Sequence, residues 1–266
     1  MKQFTLAVTL LSAIAIAPTA NAQLSQLLED IEVTSTIDTV SEYVFRGVSL
    51  GENSVQPGSE FSVYGLTVGS WYSVGFGDNS AAQVDELDLY AAYQLPFEGP
   101  VQLSIGGTAY VYPQGNDLID SSGGTTATYE VNATAGFEDV IFSPSIFAAY
   151  DFTLDNFTVE ANLSHSFDLP REGWSLEAGL NVGHVELDQA AITTTAAEAF
   201  DNYQYGTISL TANKVITDSI GFHVGGNFTA NTEDNTLNFG IVDGTTSSIN
   251  DSSTVFWIGS GLSIGF

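Results

Sequence analysis

The chain contains no cysteine and only four lysine and arginine residues, against 32 aspartate and glutamate residues. Without cysteine, neither disulfide bonds nor thiolate-bound metals can hold the fold together. So large an excess of negative charge argues against a nucleic-acid-binding protein, because such binding relies on cationic side chains that neutralise phosphates. Stability must therefore come from a buried core or from a closed sheet.

Long apolar runs are also missing beyond the first 22 residues, although 44% of all residues are hydrophobic. A helix needs about 20 consecutive apolar residues to cross a bilayer, and residues 23–266 offer none. If the chain crosses a membrane, it must therefore cross as strands. No proline-rich or serine-rich linker divides the 266 residues, which predicts one main domain.

The N-terminus is typical of exported proteins. Lys2 precedes an apolar stretch over residues 4–17, and Ala20, Asn21 and Ala22 form a small-x-small cleavage site. We predict a cleaved signal peptide over residues 1–22, and we favour it over a retained membrane anchor because the apolar stretch is short. Residues 23–31 then form a periplasmic segment, either a short amphipathic helix or, more simply, a tail, ahead of a barrel over residues 32–266.

The sequence from residue 32 onward alternates between apolar and polar residues, which is the period of a half-buried strand. Turn residues divide it into about twelve segments, at residues 32–47, 58–65, 68–76, 84–95, 100–112, 126–137, 143–152, 156–167, 173–186, 203–213, 219–230 and 252–266. A single long strand over residues 58–76 is the alternative to a hairpin there. The fold is predicted to be all-β and antiparallel.

The connections between these segments alternate in length, and this favours a membrane barrel over a soluble β-sandwich. Connections after even-numbered segments are short, such as residues 66–67, whereas long ones over residues 113–125, 187–202 and 231–251 follow odd-numbered segments. The last segment ends on Phe266. Both features are typical of up-and-down outer-membrane barrels, with short periplasmic turns and longer extracellular loops. We expect the strand ending in Phe266 to engage the barrel-assembly machinery.

The polar face of the segments must line the interior, because a charge at mid-depth in hydrocarbon costs about 2–4 kcal/mol. This face carries one strong cation, Arg46, and many carboxylates, which predicts a passage that attracts cations. The alternative is a plugged interior in which Arg46 pairs with Glu42 and Asp38. The predicted lumen carboxylates are Asp38, Glu42, Glu60, Glu86, Asp88, Glu130, Glu160 and Glu177.

Aromatic residues gather near the segment ends, as at Tyr43 and Phe45 or Tyr203 and Tyr205. Those that face outward are expected to form interfacial girdles, and those that face inward to line a solute path. In the first segment, alternation places Tyr43 and Phe45 on the apolar, outward face.

Enzymatic chemistry has little support. His165, His184 and His223 lack any flanking catalytic motif, and acidic loop residues lack the calcium-binding loop pattern. We therefore predict no enzyme activity, no metal site and no cofactor.

The string Ser41-Glu42-Tyr43-Val44-Phe45-Arg46-Gly47-Val48-Ser49 resembles the opening motif of the TorF-like porin family of proteobacterial outer-membrane proteins. Residues 56–57, 86–90 and 110–113 are similar to later landmarks of that family, and Leu50 departs from its glutamine. The resemblance implies an outer-membrane barrel and a pore, and it implies no particular solute.

Together these observations predict an outer-membrane channel for small solutes that prefers cations. Its partners are then outer-membrane lipid and lipopolysaccharide, which so acidic a chain contacts through bridging divalent cations, together with permeating solutes. The alternative is a closed barrel that serves as a structural or surface-binding protein through its extracellular loops.

Overall fold

The structure is a computed structural model that describes residues 30–77, 85–113, 127–137, 140–186, 202–232 and 253–266. The predicted signal peptide, nearly all of the periplasmic segment and most of the three long connections lie outside the described residues, so they stay predictions. Within the described ranges, no helix has the length and apolar character needed to cross a bilayer.

Twelve antiparallel strands form one closed barrel, in which each strand pairs with its neighbours in sequence and the last pairs with the first. The all-β barrel prediction is confirmed, and the β-sandwich alternative is wrong. The strands are β1 Glu32–Phe45, β2 Val48–Val63, β3 Leu66–Gly75, β4 Glu86–Gln94, β5 Gln102–Val111, β6 Ala127–Gly136, β7 Ser145–Asp151, β8 Asn156–Asp168, β9 Trp174–Glu186, β10 Tyr203–Thr217, β11 Ile220–Asn231 and β12 Thr254–Gly265.

Closure depends on the C-terminal strand. The β1–β12 ladder runs from Thr34 opposite Gly265 to Val40 opposite Gly259. The backbone N–H of Phe266 donates to the carbonyl oxygen of Val33 at 2.9 Å. A closed ladder leaves no edge strand, which is what a sheet in hydrocarbon requires.

The connections follow the predicted alternation in part: the long ones, residues 112–126, 187–202 and 232–253, follow odd-numbered strands, but the short β1–β2 and β7–β8 connections follow odd-numbered strands too. The β2–β3 turn is Tyr64–Gly65, two residues before its predicted position, and both residues have positive φ, 49° and 79°. Positive φ at both positions suits the type I′ turn that links twisted antiparallel strands. We call the barrel end that carries Tyr64–Gly65 the turn rim, and the opposite end the loop rim.

The predicted connection over residues 48–57 is wrong, because these residues belong to β2, which starts at Val48. A second tight turn, Arg46–Gly47, joins β1 to β2, again with positive φ at both residues, 46° and 82°. Pro57 and Gly58 indicate a turn by local preference. In the structure they pair with Ile37 and Thr36 of β1, so tertiary pairing overrides that preference.

The outer face of the wall is apolar and exposed, as predicted. Large aliphatic side chains project from most strands, including Ile37, Val68, Leu89, Ile105, Val131, Leu180, Ile208, Leu210 and Ile258, each at least 40% exposed. In a water-soluble protein such a surface would promote aggregation, whereas in a bilayer it contacts the hydrocarbon chains of the lipids.

Outward aromatic side chains gather at both rims and confirm the predicted girdles. Tyr129, Phe152 and Phe256 lie towards the loop rim, and Phe61 and Phe97 towards the turn rim, all more than half exposed. Amphipathic or bulky rings at these depths anchor a barrel at the two membrane interfaces.

A pair of substitutions in β10 tests the assignment of faces. Leu210 is 52% exposed on the outer face at mid-strand, and Thr211 is its inward neighbour. We expect Leu210→Lys to lower the free energy of unfolding by about 2–4 kcal/mol, the cost of a cation at mid-depth, and Thr211→Lys, which would face Glu177, to lower it by less. Denaturant titration of the protein folded in liposomes measures both values. Equal losses would contradict the assignment.

Candidate functional site

The inner face of the wall is acidic. Because the exposed aliphatic side chains mark the outer face, alternation places the intervening residues inside, and the pairing register carries this face from strand to strand. For example, Asp88 lies opposite Trp71 on one side and Tyr110 on the other. Among the described residues, the acidic residues on this inner face include Asp38, Glu60, Glu86, Asp88, Glu130, Asp151, Glu160 and Glu177.

The end of the β1–β2 hairpin nearer the loop rim does not pair with the neighbouring strands of the wall. The ladder from β1 to β12 ends at Val40, and the ladder from β2 to β3 ends at Ser54. Residues 41–53 continue as a two-stranded extension, with a register shift between Tyr43 and Val44. We call residues 41–53 the inner hairpin, because its side chains contact strands on the far side of the barrel.

Arg46, at the tip of the inner hairpin, lies between two carboxylates. Its Nη2 atom is 2.7 Å from Oε2 of Glu130 on β6, and its Nε atom is 3.9 Å from Oε1 of Glu160 on β8. The guanidinium carbon lies 4.7 Å from the ring centre of Phe45 and 5.9 Å from that of Phe147. Two carboxylates and two aromatic faces thus surround one cation.

Three wall residues hold these carboxylates in place. The Tyr110 hydroxyl donates to Glu130 at 3.3 Å, and the Tyr205 hydroxyl donates a short hydrogen bond to Glu160. Asn181 Nδ2 also donates to Glu160, at 3.2 Å. Buried carboxylates need such donors because their charge loses the stabilisation of water.

The base of the inner hairpin contacts a second acidic pair. The Tyr43 hydroxyl donates to Glu86 at 3.1 Å, and its ring lies 5.3 Å from that of Trp71. Asp88 lies two residues beyond Glu86 on the same face of β4. The prediction that Tyr43 and Phe45 face outward is wrong, because alternation stops applying where the hairpin departs from the wall; Phe45 instead stacks edge-on against Tyr110 at 5.8 Å.

Around the inner hairpin the interior is fully packed. Ser54, Ser73, Thr128, Thr158 and Thr229 are inward-facing side chains near the loop rim, and each is less than 2% exposed. In an unobstructed barrel such residues would face water. The inner hairpin lies in the lumen at this level, where its side chains contact Glu86, Glu130 and Glu160.

The half of the lumen nearer the turn rim is open to solvent. Glu177 is exposed although it faces inward from β9. Asp38 and His223 are partly exposed and lie 2.9 Å apart, across Gly261. An added Cβ on Gly261 would overlap the Asp38 carboxylate, so only glycine permits this contact.

The predicted pairing of Arg46 with Glu42 and Asp38 is wrong. Arg46 reaches across the lumen to Glu130 and Glu160, whereas Glu42 accepts a short hydrogen bond from Ser49 within the hairpin. The closeness of Glu42 and Asp38 in sequence suggested that they pair with Arg46. The tight turn at Arg46–Gly47 instead directs the Arg46 side chain away from β1.

Sequence reasoning did not find the groups that position the carboxylates. Tyr205 is held by two glycines, since a Cβ on Gly47 or on Gly183 would lie 2.4 Å from its atoms. The Tyr203–Tyr205 spacing indicated only a common face. No local pattern reveals that Tyr205 and Asn181, on different strands, meet at Glu160.

Two of the three histidines lie on the outer face of the wall, away from the lumen. His165 faces outward between the rings of Phe142 and Phe167, and His184 bonds to Gln204 on the outer face. Within the described residues, no three histidine or acidic side chains are grouped closely enough to hold a metal ion.

A family model described as "Bacterial protein of unknown function (Gcw_chp)" matches residues 28–259, most of the chain. This description carries no mention of the TorF-like family. No curated protein matches the chain.

Three solved structures are similar to this chain over most of its length. The NanC porin is 8% identical with a TM-score of 0.48, covering 88% of this chain and 98% of its own. LpxR from Salmonella typhimurium is 9% identical with a TM-score of 0.49, covering 87% and 99%. The COG4313 outer membrane channel from Pseudomonas putida F1 is 14% identical with a TM-score of 0.46, covering 89% and 94%. Likeness at this level assigns no activity.

A glycine substitution tests how Tyr205 is positioned. Gly183→Ala places a methyl group in the space of the Tyr205 ring, so we expect a loss of about 1–3 kcal/mol in the free energy of unfolding, as for other overpacked sites. Gly206→Ala is the matched control, because its Cβ would be 3.7 Å or more from its neighbours. Denaturant midpoints measure both. A Gly183→Ala midpoint equal to that of the control would argue against this packing.

Proposed function

The chain belongs to the Gcw_chp family of bacterial proteins of unknown function, and because that description assigns no activity, we propose a function from the barrel itself. We propose that the protein is an outer-membrane channel that passes small solutes and prefers cations. The observation that carries this proposal is the composition of the inner face, where the described residues include at least eight acidic side chains and one arginine.

The other lysine and arginine residues that the structure describes do not neutralise this excess of acidic residues in the lumen. Lys214 donates to the backbone oxygen of Glu172 at 2.8 Å, and both Lys214 and Arg171 lie about the Trp174 ring at the turn rim. Arg46 alone among the described lysine and arginine residues enters the lumen. Water and counter-cations then accompany the carboxylates in the solvated half of the lumen, and a passage with such walls concentrates cations and repels anions.

The solvated half of the lumen is where this field acts on a permeating ion. Asp38, Glu60 and Glu177 project from three different strands into this half, and Glu177 is exposed to the interior water. Glu130 is already paired with Arg46 and its side chain is 1% exposed. We therefore propose that selectivity depends more on Asp38, Glu60 and Glu177 than on Glu42, Glu86, Asp88, Glu130 or Glu160, which the packed region holds.

The cellular setting is part of the same proposal. Export through the signal peptide predicted at residues 1–22 would deliver the chain to the barrel-assembly machinery, which would engage the strand ending at Phe266. The exposed aliphatic belt then contacts outer-membrane lipid, and acidic residues at the loop rim contact lipopolysaccharide through divalent cations. The TorF-like resemblance agrees with this assignment, and no catalytic role is proposed.

The packed loop rim favours a second candidate, a closed barrel that acts through its extracellular loops as a structural or binding protein. Single-channel recording in a planar bilayer separates the two. Discrete conductance steps with a cation-selective reversal potential in a potassium chloride gradient support the channel. A folded barrel without steps, in every variant described here, supports the closed alternative.

Neutralising the solvated carboxylates tests their role. We expect Glu60→Gln with Glu177→Gln to move the reversal potential towards zero, because two of the charges that attract cations are lost. Glu98→Gln with Glu172→Gln is the control, since both residues are exposed in turns at the turn rim. Recording near 1 M salt, where the Debye length is about 3 Å, screens the rim charges. An equal shift in both double variants would contradict the assignment.

A further inference from the structure

We propose that the inner hairpin is a plug for the loop rim, and that Glu130 and Glu160 form a guanidinium-binding site which Arg46 occupies while the plug is closed. A guanidinium-bearing solute can then compete for the same carboxylates and release the plug. This inference rests on the proposed function, because release of the plug matters only if solutes pass through the lumen.

The first support is where the inner hairpin makes its contacts. It starts from β1 and β2, yet Tyr43 bonds to β4, Arg46 to β6 and the carbonyl oxygen of Gly47 to Asn231 of β11, the last at 2.7 Å. An element that reaches strands on all sides of a closed barrel must lie across its interior. Inward-facing side chains at the same end of the barrel are less than 2% exposed, as expected where an element blocks the lumen.

The second support is the quality of the site that receives Arg46. Glu130 is held by Tyr110, and Glu160 by Tyr205 and Asn181, so both carboxylates are oriented by residues of the wall and not by the arginine alone. Of the two rings beside the guanidinium, Phe147 belongs to the wall and Phe45 to the inner hairpin. The wall by itself thus presents two oriented carboxylates and one ring, a set that suits a planar, weakly hydrated cation.

The third support is that the inner hairpin can move without breaking the barrel. Its strands pair with each other, while the ladders to β12 and β3 end at Val40 and Ser54. Displacing the tip therefore preserves the closed wall. It does expose Glu130 and Glu160, and a buried carboxylate without a cation is strongly unfavourable, so release requires water or a substitute cation at this site.

A buried cysteine reports release directly, because the natural chain has no cysteine. Thr158→Cys introduces a thiol at a position that faces inward and is 1% exposed. In the purified protein in micelles, we expect a water-soluble maleimide to label it about 10 to 100 times faster when Arg46→Ala is added, the range expected from losing one charge-assisted hydrogen bond. An unchanged rate would overturn the plug.

Matched variants keep this test specific. Thr211→Cys, on the inner face of the solvated half, should label quickly with or without Arg46→Ala. Arg171→Ala removes an exposed arginine and should leave Thr158→Cys protected. If Arg46→Ala fails to fold, Glu130→Gln with Glu160→Gln removes the other side of the same contact, and fast labelling of Thr158→Cys is again expected.

Competition tests the guanidinium site. Guanidinium chloride at about 50 mM, far below the molar concentrations that unfold proteins, should speed the labelling of Thr158→Cys in the protein that keeps Arg46, because it competes for Glu130 and Glu160, and should change the rate little once Arg46→Ala is present. Potassium chloride at the same concentration should not speed the labelling. Equal effects of the two salts would overturn the site, and leave ordinary screening as the cause.

The two proposals fail separately. Labelling does not require conduction, so faster labelling in a barrel that passes no current would support the plug and overturn the channel. Conduction by the natural protein with no effect of Arg46→Ala on labelling would support the channel and overturn the plug. If both hold, Arg46→Ala also raises the single-channel conductance.

Discussion

Every backbone N–H and carbonyl group inside a bilayer must be paired within the protein, because hydrocarbon offers no partner. For a sheet, this requirement is met only by closure, and here closure depends on the seven residue pairs that join β1 to β12. The other features follow from it. A closed antiparallel wall has one face towards lipid and one towards the lumen. Apolar and polar residues must therefore alternate along each strand, with the polar residues facing the lumen.

Because the polar face lines the lumen, the charged side chains lie there too. Their environments differ along the barrel axis. In the half nearer the turn rim, Glu177 is exposed to solvent, and Asp38 is partly exposed beside His223. Near the loop rim, Glu130 is almost fully buried, and it is stable because Arg46 and Tyr110 contact it. A carboxylate thus contributes to the electrostatic field of the lumen in one half of the barrel, and it takes part in a packed contact in the other half.

The inner hairpin arises from the same rule of pairing. β1 and β2 continue beyond the point where their outer neighbours stop pairing with them, and an unpaired edge at that height would have to be satisfied by another partner. Pairing with each other and packing into the lumen satisfies both strands. As a result, the hairpin lies across the lumen at the loop rim. The contacts of Arg46 with Glu130 and Glu160 hold it in that position.

Much of the fold follows from the sequence alone, because a period of two and the length of connections are local properties. The strand number, the outward face at positions such as Leu89, and closure through the last strand were all predictable in this way. The prediction failed at residues 48–57, where Pro57 and Gly58 resemble a turn, and at Tyr43, where alternation ends.

What the sequence determined by itself is that the interior is acidic and that Arg46 belongs to it. Only the tertiary structure decided which carboxylates receive Arg46, since Glu130 and Glu160 lie 84 and 114 positions away along the chain. Pattern and spacing report on neighbours within a strand. The meeting of strands across a lumen depends on closure and register, which set distances between residues that no local preference relates.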